Sequence, residues 1–250
     1  MEQIREMQLE IVKMIEQIDQ LFKKNGIPYF IVGGSVLGAI RHKGFIPWDD
    51  DMDIAIKRND FVKAEQLLGT MNEYVYETTE KHIIPDGPTG HLHLVNDKFP
   101  IENSPTIDVF ALDGFPNDQH IWKKMRKFGN WYHLAVLGRP ALKRGKLKKI
   151  ITLILLKLIP KLLWKKIKDK TFRKITSYDV EKAPFIANLF GVYGVREFFP
   201  RKMFDTTTYG EFEGLNLPMP ANPDEYLKQI YGNYMELPPV EKRVPKHRTF

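Results

Sequence analysis

Aspartates are concentrated in one short window of the sequence. Asp49, Asp50, Asp51 and Asp53 occupy four of five consecutive positions, and such crowding of like charge is unfavourable unless a cation neutralises it. If residues 51–56 form a strand, Asp51 and Asp53 project from one face about 7 Å apart. Both can then reach one divalent ion or bridge two. Mg²⁺, or Mn²⁺ in its place, is the expected ion because hard cations prefer carboxylate and phosphate oxygens.

A further aspartate lies in a second apolar segment. Asp108 stands between Ile107 and Val109 in TIDVFA, which is typical of a buried strand. An ionised carboxylate needs a partner in such surroundings, and a metal shared with Asp51 and Asp53 would supply one. A run of three aspartates alone is more typical of an exposed loop. The alternation within an apolar strand and the acid in a second strand favour the metal site.

Two glycines and a serine precede the acidic window. Gly33, Gly34 and Ser35 follow an apolar segment and open an apolar helical pattern. Glycines let a ligand approach the backbone, and amides at a helix N-terminus favour phosphate. Taken alone, a Gly-Gly pair usually indicates only a tight turn. Together with the aspartates it predicts a site that holds metal and phosphate, where two-metal phosphoryl transfer can occur.

Hydrophobic spacing predicts the elements that position these residues. Helices are expected at 4–22, from Gly33 to Ile40, at 60–69 and near 223–231, and strands at 27–32, 51–56, 73–77, 91–95 and 106–111. The segment PDGPTG, at 85–90, is expected to be a turn. From Asn117 to Phe199 the pattern is mostly helical, and the Pro-rich tail is expected to be irregular apart from its short helix.

The composition limits the class of protein. The 250 residues include no cysteine, which excludes disulfides, thiolate metal sites and a cysteine nucleophile. The hydrophobic fraction of 43% is that of a globular protein and argues against wholesale disorder. We expect one catalytic domain over 1–250. Its core is expected at 24–118, and a helical part at 119–250.

The net charge of +7 comes from one segment. Residues 143–174 contain 13 Lys or Arg and one acid, Asp169, a local net charge of +12. The rest of the chain therefore sums to −5. Four lysines on one helical face predict contact with an anionic membrane surface, with packing on the core as the alternative; these are Lys157, Lys161, Lys165 and Lys168. No nucleic-acid motif accompanies this charge, so binding to nucleic acid is not expected. Pro160 is expected to kink the helix or start a new one.

The expected location is cytoplasmic, at the inner face of the plasma membrane. The charged N-terminus lacks the apolar run of a signal peptide. The longest apolar stretch, 150–156, is far shorter than the roughly 20 residues that a membrane-spanning helix needs.

Two other groups of residues are weaker candidates. His91 and His93 alternate on a strand and resemble part of a zinc site, but no third ligand is near in sequence, so structural or substrate-facing histidines are favoured. The second group is the basic tail, for which an exposed terminus is one interpretation; it contains Lys242, Arg243, Lys246, His247 and Arg248.

The window at 32–56 resembles a known signature. VGGSVLGAIRHKGFIPWDDDMDIAI is similar to the motif of the LicD family, the phosphocholine transferases of bacterial surface polysaccharide synthesis, which are related to the fukutins. The segments at 107–116 and 231–247 resemble later parts of the family, and for the basic tail this resemblance implies phosphate binding. This family resembles the nucleotidyltransferase superfold. The resemblance therefore implies an α+β fold with a mixed β-sheet core flanked by helices and a mostly helical C-terminal half.

The resemblance also implies the reaction. The implied activity is Mg²⁺-dependent transfer of phosphocholine from CDP-choline to a hydroxyl of a lipopolysaccharide, teichoic-acid or other cell-surface glycan precursor, some of them lipid-linked, with release of CMP. Transfer of another CDP-activated alcohol phosphate, such as ribitol or glycerol phosphate, or of a nucleotide, is the alternative. An inactive membrane-peripheral scaffold is disfavoured because Asp51, Asp53 and Asp108 are all present.

Residue roles follow from the resemblance. Asp51, Asp53 and Asp108 are expected to be catalytic and to hold the metal, with Asp49 as an additional ligand. The expected substrate-binding residues are Gly33, Gly34, Ser35, Arg41, His42, Lys43 and Trp48. Among these, the cations would stabilise charge on the transferred phosphoryl group. Trp48 would contact cytosine or the choline ammonium, unless it is an ordinary packing aromatic.

Overall fold

A computed structural model describes residues 2–78, 89–139 and 146–245. Seven α-helices lie within these ranges: α1 (Glu2–Asn25), α2 (Gly33–His42), α3 (Arg58–Leu68), α4 (Gln119–Leu137), α5 (Lys146–Leu158), α6 (Lys161–Ile175) and α7 (Pro223–Tyr231). Nine strands lie within the same ranges: β1 (Phe30–Ile31), β2 (Met52–Lys57), β3 (Val75–Glu77), β4 (Gly90–His93), β5 (Thr106–Phe115), β6 (Phe185–Ala187), β7 (Phe198–Pro200), β8 (Thr207–Phe212) and β9 (Leu215–Pro220).

The main sheet is mixed. Its strands run in the order β1-β2-β5-β4-β3, and β2 and β5 are parallel while the other neighbours are antiparallel. The far end of β5 continues the sheet by pairing with β6, which pairs with β7. This arrangement confirms the predicted α+β fold with a mixed sheet flanked by helices.

Helix α1 closes one face of the sheet because its apolar residues recur every three or four positions. The side chains of this stripe are fully or almost fully buried and belong to the main core; they are Met7, Ile11, Met14, Ile15, Ile18 and Phe22. Gly26, at φ +66°, follows the helix and turns the chain towards β1.

A second, smaller core lies where β5 meets the chain beyond α4. Phe115 at the end of β5 packs against Phe198 of β7, with ring centroids 4.9 Å apart, and Trp122 of α4 stacks on Phe198 at 4.7 Å. The indole Nε1 of Trp122 donates to the carbonyl of Pro116 at 2.6 Å. Strand β5 therefore belongs to both cores.

The sequence prediction was wrong for the chain after Ile175. It expected helix as far as Phe199, whereas β6 and β7 occupy part of that range. These strands have three residues each, too short for an alternating pattern to show, and the free edge of β5 determines their structure.

The tail also contains more regular structure than expected. Strands β8 and β9 form a hairpin in a region expected to be irregular. Its two turn residues, Glu213 and Gly214, both have positive φ, at 52° and 80°. Such turns usually carry Asn-Gly or Asp-Gly, so Glu-Gly gave a weak signal.

The other predicted elements agree with the structure in type. Helix α2 begins at Gly33 as expected, and the strand predicted at 51–56 is β2. The expected strand at 27–32 is reduced to β1, and the strand at 106–111 extends to Phe115. Most of the turn predicted at 85–90 lies outside the described residues.

The basic segment forms α5 and α6, with residues 143–145 outside the described ranges. As expected for a proline in this segment, Pro160 separates the helices and caps the start of α6. Within 2–78, 89–139 and 146–245, no helix combines the length and the apolar character that a membrane crossing requires.

Candidate active site

The parallel pairing of β2 and β5 brings the candidate aspartates together. Asp53 and Asp108 are directly opposite each other in the register, and Asp51 comes immediately before β2. Carboxylate oxygens from Asp51, Asp53 and Asp108 all lie within 4.8 Å of one another. Residues more than fifty positions apart in the chain thus form one acidic cluster.

Asp49 and Asp50 extend this cluster. Oxygens of Asp49, Asp50 and Asp51 form a second group within 4.8 Å, and Asp50 is completely buried. The loop that carries them is anchored by Gln8 of α1, whose Nε2 donates to the carbonyls of Ile46 at 3.2 Å and Asp49 at 2.9 Å. The acidic window is therefore held by the core.

The two glycines make room for the carboxylates. A Cβ on Gly33, which has φ +56°, would lie 2.6 Å from Oδ2 of Asp53, and a Cβ on Gly34 would lie 3.0 Å from Oδ2 of Asp49. The close approach inferred from sequence was to a ligand. The structure shows in addition that the glycines lie against the protein's own acids.

The hydrogen bonds of this turn fix its position relative to β2. The Gly33 amide donates to the hydroxyl of Tyr226 at 2.8 Å, so this amide is already engaged. The buried Ser35 accepts at Oγ from the Asp53 amide at 2.9 Å. The hydroxyl proton of Ser35 is not used in that bond.

The electrostatics of the cluster suit a cation. Burial raises the pKa of Asp53 well above its usual range, and the neighbouring charges of Asp51, Asp108, Asp49 and Glu197 raise it further. A bound divalent ion would reverse the effect of those neighbours, because it favours the ionised form of every carboxylate around it. Hard oxygen donors at this separation fit a divalent metal ion.

His91 lies beside the cluster. It faces Asp108 across the β4–β5 ladder, and its Nδ1 is 2.7 Å from Oδ1 of Asp108. His93 contacts the hydroxyls of Ser104 and Thr106 at 3.0 and 2.9 Å instead. In the described part of the chain, the groups with metal-ligating geometry consist of aspartates alone.

The three predicted cations end up in different surroundings. Arg41 is partly buried, feels the charge of Asp49, and donates from Nη1 to the carbonyl of Tyr234 at 2.7 Å. His42 contacts Arg41, since its Nε2 accepts from Nε of Arg41 at 2.9 Å. Burial, followed by the arginine charge, lowers the pKa of His42. Lys43 is exposed in a left-handed conformation at the end of α2.

Trp48 is a packing residue with a cation on one face. It is half-buried against the main core, and the guanidinium of Arg243 lies 5.8 Å from its ring centroid. Arg243 itself donates from Nε to the carbonyl of Pro238 at 2.9 Å. One member of the basic tail is thereby brought to Trp48. Lys246, His247 and Arg248 lie outside the described residues.

Sequence reasoning missed a layer of residues behind the aspartates. Glu197 is buried, accepts from the Tyr193 amide at 2.8 Å, and has its pKa raised to about 7 by burial. Tyr226 is buried and Tyr231 is half-buried nearby, and the charge of Asp53 contributes to the raised pKa of both. Tyr231 lies in a segment that resembles the family, the one signal that pointed to this region.

Comparison with known proteins adds independent information. Residues 26–134 match the family described as "LicD/FKTN/FKRP, nucleotidyltransferase domain". The chain is 30% identical to "Lipopolysaccharide cholinephosphotransferase LicD" of Haemophilus influenzae, with 98% of this chain and 96% of that protein covered. It is 50% identical over 44 residues to "Ribitol 5-phosphate transferase FKRP" of Homo sapiens and Mus musculus, which covers 18% of this chain and 9% of those proteins. Since the Haemophilus relative matches almost end to end, the chain belongs to the LicD family and is a phosphotransferase.

Proposed function

We propose that this protein transfers phosphocholine from CDP-choline to a hydroxyl of a cell-surface glycan precursor and releases CMP. The observation that carries the proposal is the cluster of Asp51, Asp53 and Asp108 on paired strands beside a Gly-Gly turn. The full-length similarity to a lipopolysaccharide cholinephosphotransferase supports choline phosphate as the transferred group and lipopolysaccharide as the acceptor class. A teichoic-acid precursor has the same type of hydroxyl.

The proposed cofactor is Mg²⁺, with Mn²⁺ as a substitute. Asp51, Asp53 and Asp108 would hold it, and Asp49 would add a ligand from the second acidic group. A metal bound there supplies Lewis-acid stabilisation of phosphate oxygens and allows activation of the attacking hydroxyl. An aspartate of the cluster that keeps a carboxylate oxygen free of the metal is proposed to accept the proton of that hydroxyl.

The remaining roles belong to residues around the cluster. The Gly34 amide, at the N-terminus of α2, and the Ser35 hydroxyl are proposed to bind the diphosphate. The Gly33 amide holds Tyr226, so we assign Gly33 to positioning the turn. Arg41 is proposed to stabilise the phosphoryl charge together with His42, and the exposed Lys43 to attract the anionic donor.

Trp48 has one face covered by Arg243. We therefore propose that any cytosine or choline contact uses its other face. Cation–π attraction on that face would suit the quaternary ammonium of choline. From the basic tail, Arg243 contacts the proposed donor site through Trp48.

We also propose that residues 1–250 act as one catalytic domain. A core at 24–118 carries the aspartates, and the part at 119–250 completes it. Strand β6 extends the sheet from the end of β5, and Glu197 and Tyr226 of the second part lie close to the charge of Asp53. The enzyme is proposed to meet its acceptor, held on a lipid carrier, at the inner face of the plasma membrane.

The second candidate is transfer of ribitol phosphate from CDP-ribitol. The local similarity to ribitol 5-phosphate transferase favours it. Glycerol phosphate, from CDP-glycerol, and a nucleotide, from a nucleoside triphosphate, are the other groups that could be transferred by cleavage of a similar phosphoanhydride bond. All of these donors share the diphosphate that the aspartates and the Gly-Gly turn would hold, so the metal site does not discriminate among them.

The deciding experiment compares donors. The protein is incubated with CDP-choline, CDP-ribitol, CDP-glycerol and CTP, each with Mg²⁺ and a lipopolysaccharide or teichoic-acid acceptor, and CMP or pyrophosphate release is followed. The proposal expects acceptor-dependent CMP release that is fastest with CDP-choline. Faster turnover of CDP-ribitol would replace it with the second candidate, and pyrophosphate release from CTP would replace it with nucleotidyl transfer.

A further inference from the structure

Helices α5 and α6 carry an apolar surface that the proposed reaction does not use. Seven large aliphatic side chains are exposed there: Ile150, Ile151, Leu153, Ile154 and Leu158 of α5, and Leu162 and Leu163 of α6. Leu158 and Leu162 are exposed at 72% and 69% of their full area. We call these seven side chains and the basic residues of 149–174 the α5–α6 surface.

The burial pattern of α5 differs from that of an ordinary surface helix, which buries its large apolar side chains and exposes its polar ones. Among the residues of α5 whose side chains are described, Thr152 is buried and Leu155 and Leu156 are half-buried, while Ile151 and Leu153 on either side of Thr152 are exposed. Monomeric proteins in water rarely expose adjacent large apolar groups in this way unless a partner covers them.

The neighbouring helix α6 has an inner face of its own. It packs along α4 and buries Trp164, Thr171 and Ile175, and this anchors the helix pair to the protein. Within the described ranges, α5 has no comparable packing partner. Its apolar residues are thus available to something outside the molecule.

The charge around these residues identifies the partner. Residues 149–174 contain nine Lys or Arg and one acidic residue, Asp169. Two copies of such a surface would repel each other, which argues against a dimer formed through this face. Apolar side chains among lysines are the composition of a helix that lies in the interface of an anionic bilayer.

We propose that the α5–α6 surface binds anionic membranes, with its seven exposed isoleucines and leucines inserted at the acyl boundary and its lysines at the lipid phosphates. The proposed function supplies the biological setting, a lipid-carried acceptor. Binding itself is a property of this surface, independent of the donor or of turnover, so the two proposals fail separately.

The test is flotation of the full-length protein with two kinds of vesicle. One is phosphatidylcholine alone, and the other is phosphatidylcholine in which about 40% of the lipid is anionic phosphatidylglycerol. The expected result is binding to the anionic vesicles that weakens as salt rises, and little binding to neutral ones. Equal binding to both compositions, or none to either, would overturn the proposal.

Paired variants separate the two contributions. Lys165→Gln/Lys166→Gln should weaken binding about thirtyfold, the factor for about 1 kcal/mol per lysine near an anionic surface. Ile151→Ser/Ile154→Ser should weaken it about tenfold or more, since inserted apolar area is lost. The matched controls are Lys24→Gln/Lys202→Gln and Leu9→Ser/Val62→Ser, which change exposed residues elsewhere and should bind like the wild type.

The variants also distinguish membrane binding from misfolding and from other partners. Thermal melting and CMP release from soluble substrates should be unchanged in the variants, which shows that the fold is intact. Unchanged vesicle binding by the isoleucine variant would contradict insertion. A concentration-dependent dimer that the isoleucine variant dissolves, or binding to RNA in preference to vesicles, would assign the surface to another partner and overturn the proposal.

Discussion

At the scale of single residues, the acidic cluster makes Asp53 the most informative position. Its carboxylate lies among three other acids of the acidic window and β5, so the cluster is unfavourable without a cation and favourable with one. A change that keeps the shape of the side chain and removes the charge separates these two effects.

We expect Asp53→Asn to reduce phosphotransferase activity by about a thousandfold, because several kcal/mol of transition-state stabilisation depend on the bound metal. In EDTA the variant should melt at the same temperature as the wild type or higher, since one repelling charge is gone. Mg²⁺ should raise the melting temperature of the wild type by binding the native state and leave that of the variant nearly unchanged.

Asp97→Asn is the control, because Asp97 is exposed and belongs to neither group of clustered aspartates. It should retain both activity and the Mg²⁺-dependent shift, measured by scanning fluorimetry. A full Mg²⁺ shift in Asp53→Asn would remove Asp53 from the metal site.

Gly33 allows a second test at this scale. Gly33→Ala introduces a Cβ 2.6 Å from Oδ2 of Asp53 in a left-handed conformation. The conformation alone costs about 1–2 kcal/mol, and displacement of the carboxylate should in addition abolish most activity.

Gly26→Ala is its matched control. Gly26 has a similar φ of +66°, and a Cβ added there would meet nothing within 4 Å. Chemical denaturation should show a comparable backbone cost in both variants, whereas the activity loss should be confined to Gly33→Ala. Equal activity in the two would show that the Asp53 carboxylate tolerates displacement.

The metal-binding role of the acidic window could be predicted from sequence because its residues stand out from their immediate neighbours. Asp51, Asp53 and Asp108 stand out as acids in apolar strands, and the structure brings them together. Glu197 and Tyr226 do not stand out, because their proximity to Asp53 arises from packing of the second half of the chain. No periodic pattern in the sequence indicates that a single glutamate such as Glu197 is buried.

At the scale of elements, a buried ion pair joins α3 to β5. Nε and Nη2 of Arg58 donate to the two carboxylate oxygens of Asp113 at 2.7 and 2.8 Å. The guanidinium also lies over the rings of Phe61 and Phe172, at 5.1 and 5.6 Å from their centroids. One side chain thus connects α3, β5 and α6.

We expect Arg58→Met to lower the free energy of unfolding by about 3–5 kcal/mol, because Asp113 is left buried without its partner. The double variant Arg58→Met/Asp113→Leu should recover most of that loss, since it removes both charges. Urea denaturation of the single and double variants measures the difference. A double variant as unstable as the single one would mean that the contacts of Arg58 with the rings of Phe61 and Phe172, and not its ion pair with Asp113, provide the stabilisation.

Elements with strong periodicity were predicted in type, and those defined by a partner were not. The helix α1 carries a long apolar stripe that is buried along its length, and its type was predicted from that spacing. Strands β6 and β7 have three residues each and exist because β5 presents an open edge. The hairpin of β8 and β9 depends on a Glu-Gly turn that few hairpins use.

At the scale of the whole molecule, Glu197 connects stability to pH. Its pKa is raised to about 7 in the folded protein by burial, against about 4.3 for an unperturbed Glu. Below the lower value both states are protonated and the residue has no effect. Between the two values the folded state binds more protons, so the free energy of unfolding falls as pH rises.

The loss approaches its full size once the pH has risen past the folded-state pKa, and amounts to about 4 kcal/mol from that difference in pKa. Glu197→Gln keeps the hydrogen bond from the Tyr193 amide and has no charge to bury. We therefore expect the variant to exceed the wild type in stability increasingly from about pH 4.5 to pH 7, measured by urea denaturation at several pH values. A constant difference across this range would contradict the raised pKa.

The uneven charge of the chain acquires a spatial meaning in the fold. The acids that crowd in the sequence converge on the sheet, whereas the lysines of 149–174 lie on a helix pair anchored through α4. Composition alone predicted this division. It did not predict that the apolar residues of α5 face outward, because helical periodicity does not indicate which face a protein covers.

The ten-residue length of β5 has a consequence for how the molecule unfolds. Asp108 lies near its start among the strands of the main sheet, and Phe115 at its end belongs to the smaller aromatic core. Melting of either core therefore frees part of the same strand, and this links the two cores in one cooperative unit. Calorimetry should show a single transition whose calorimetric and van't Hoff enthalpies agree, and the acidic cluster should be lost in the same step as the distant aromatic packing.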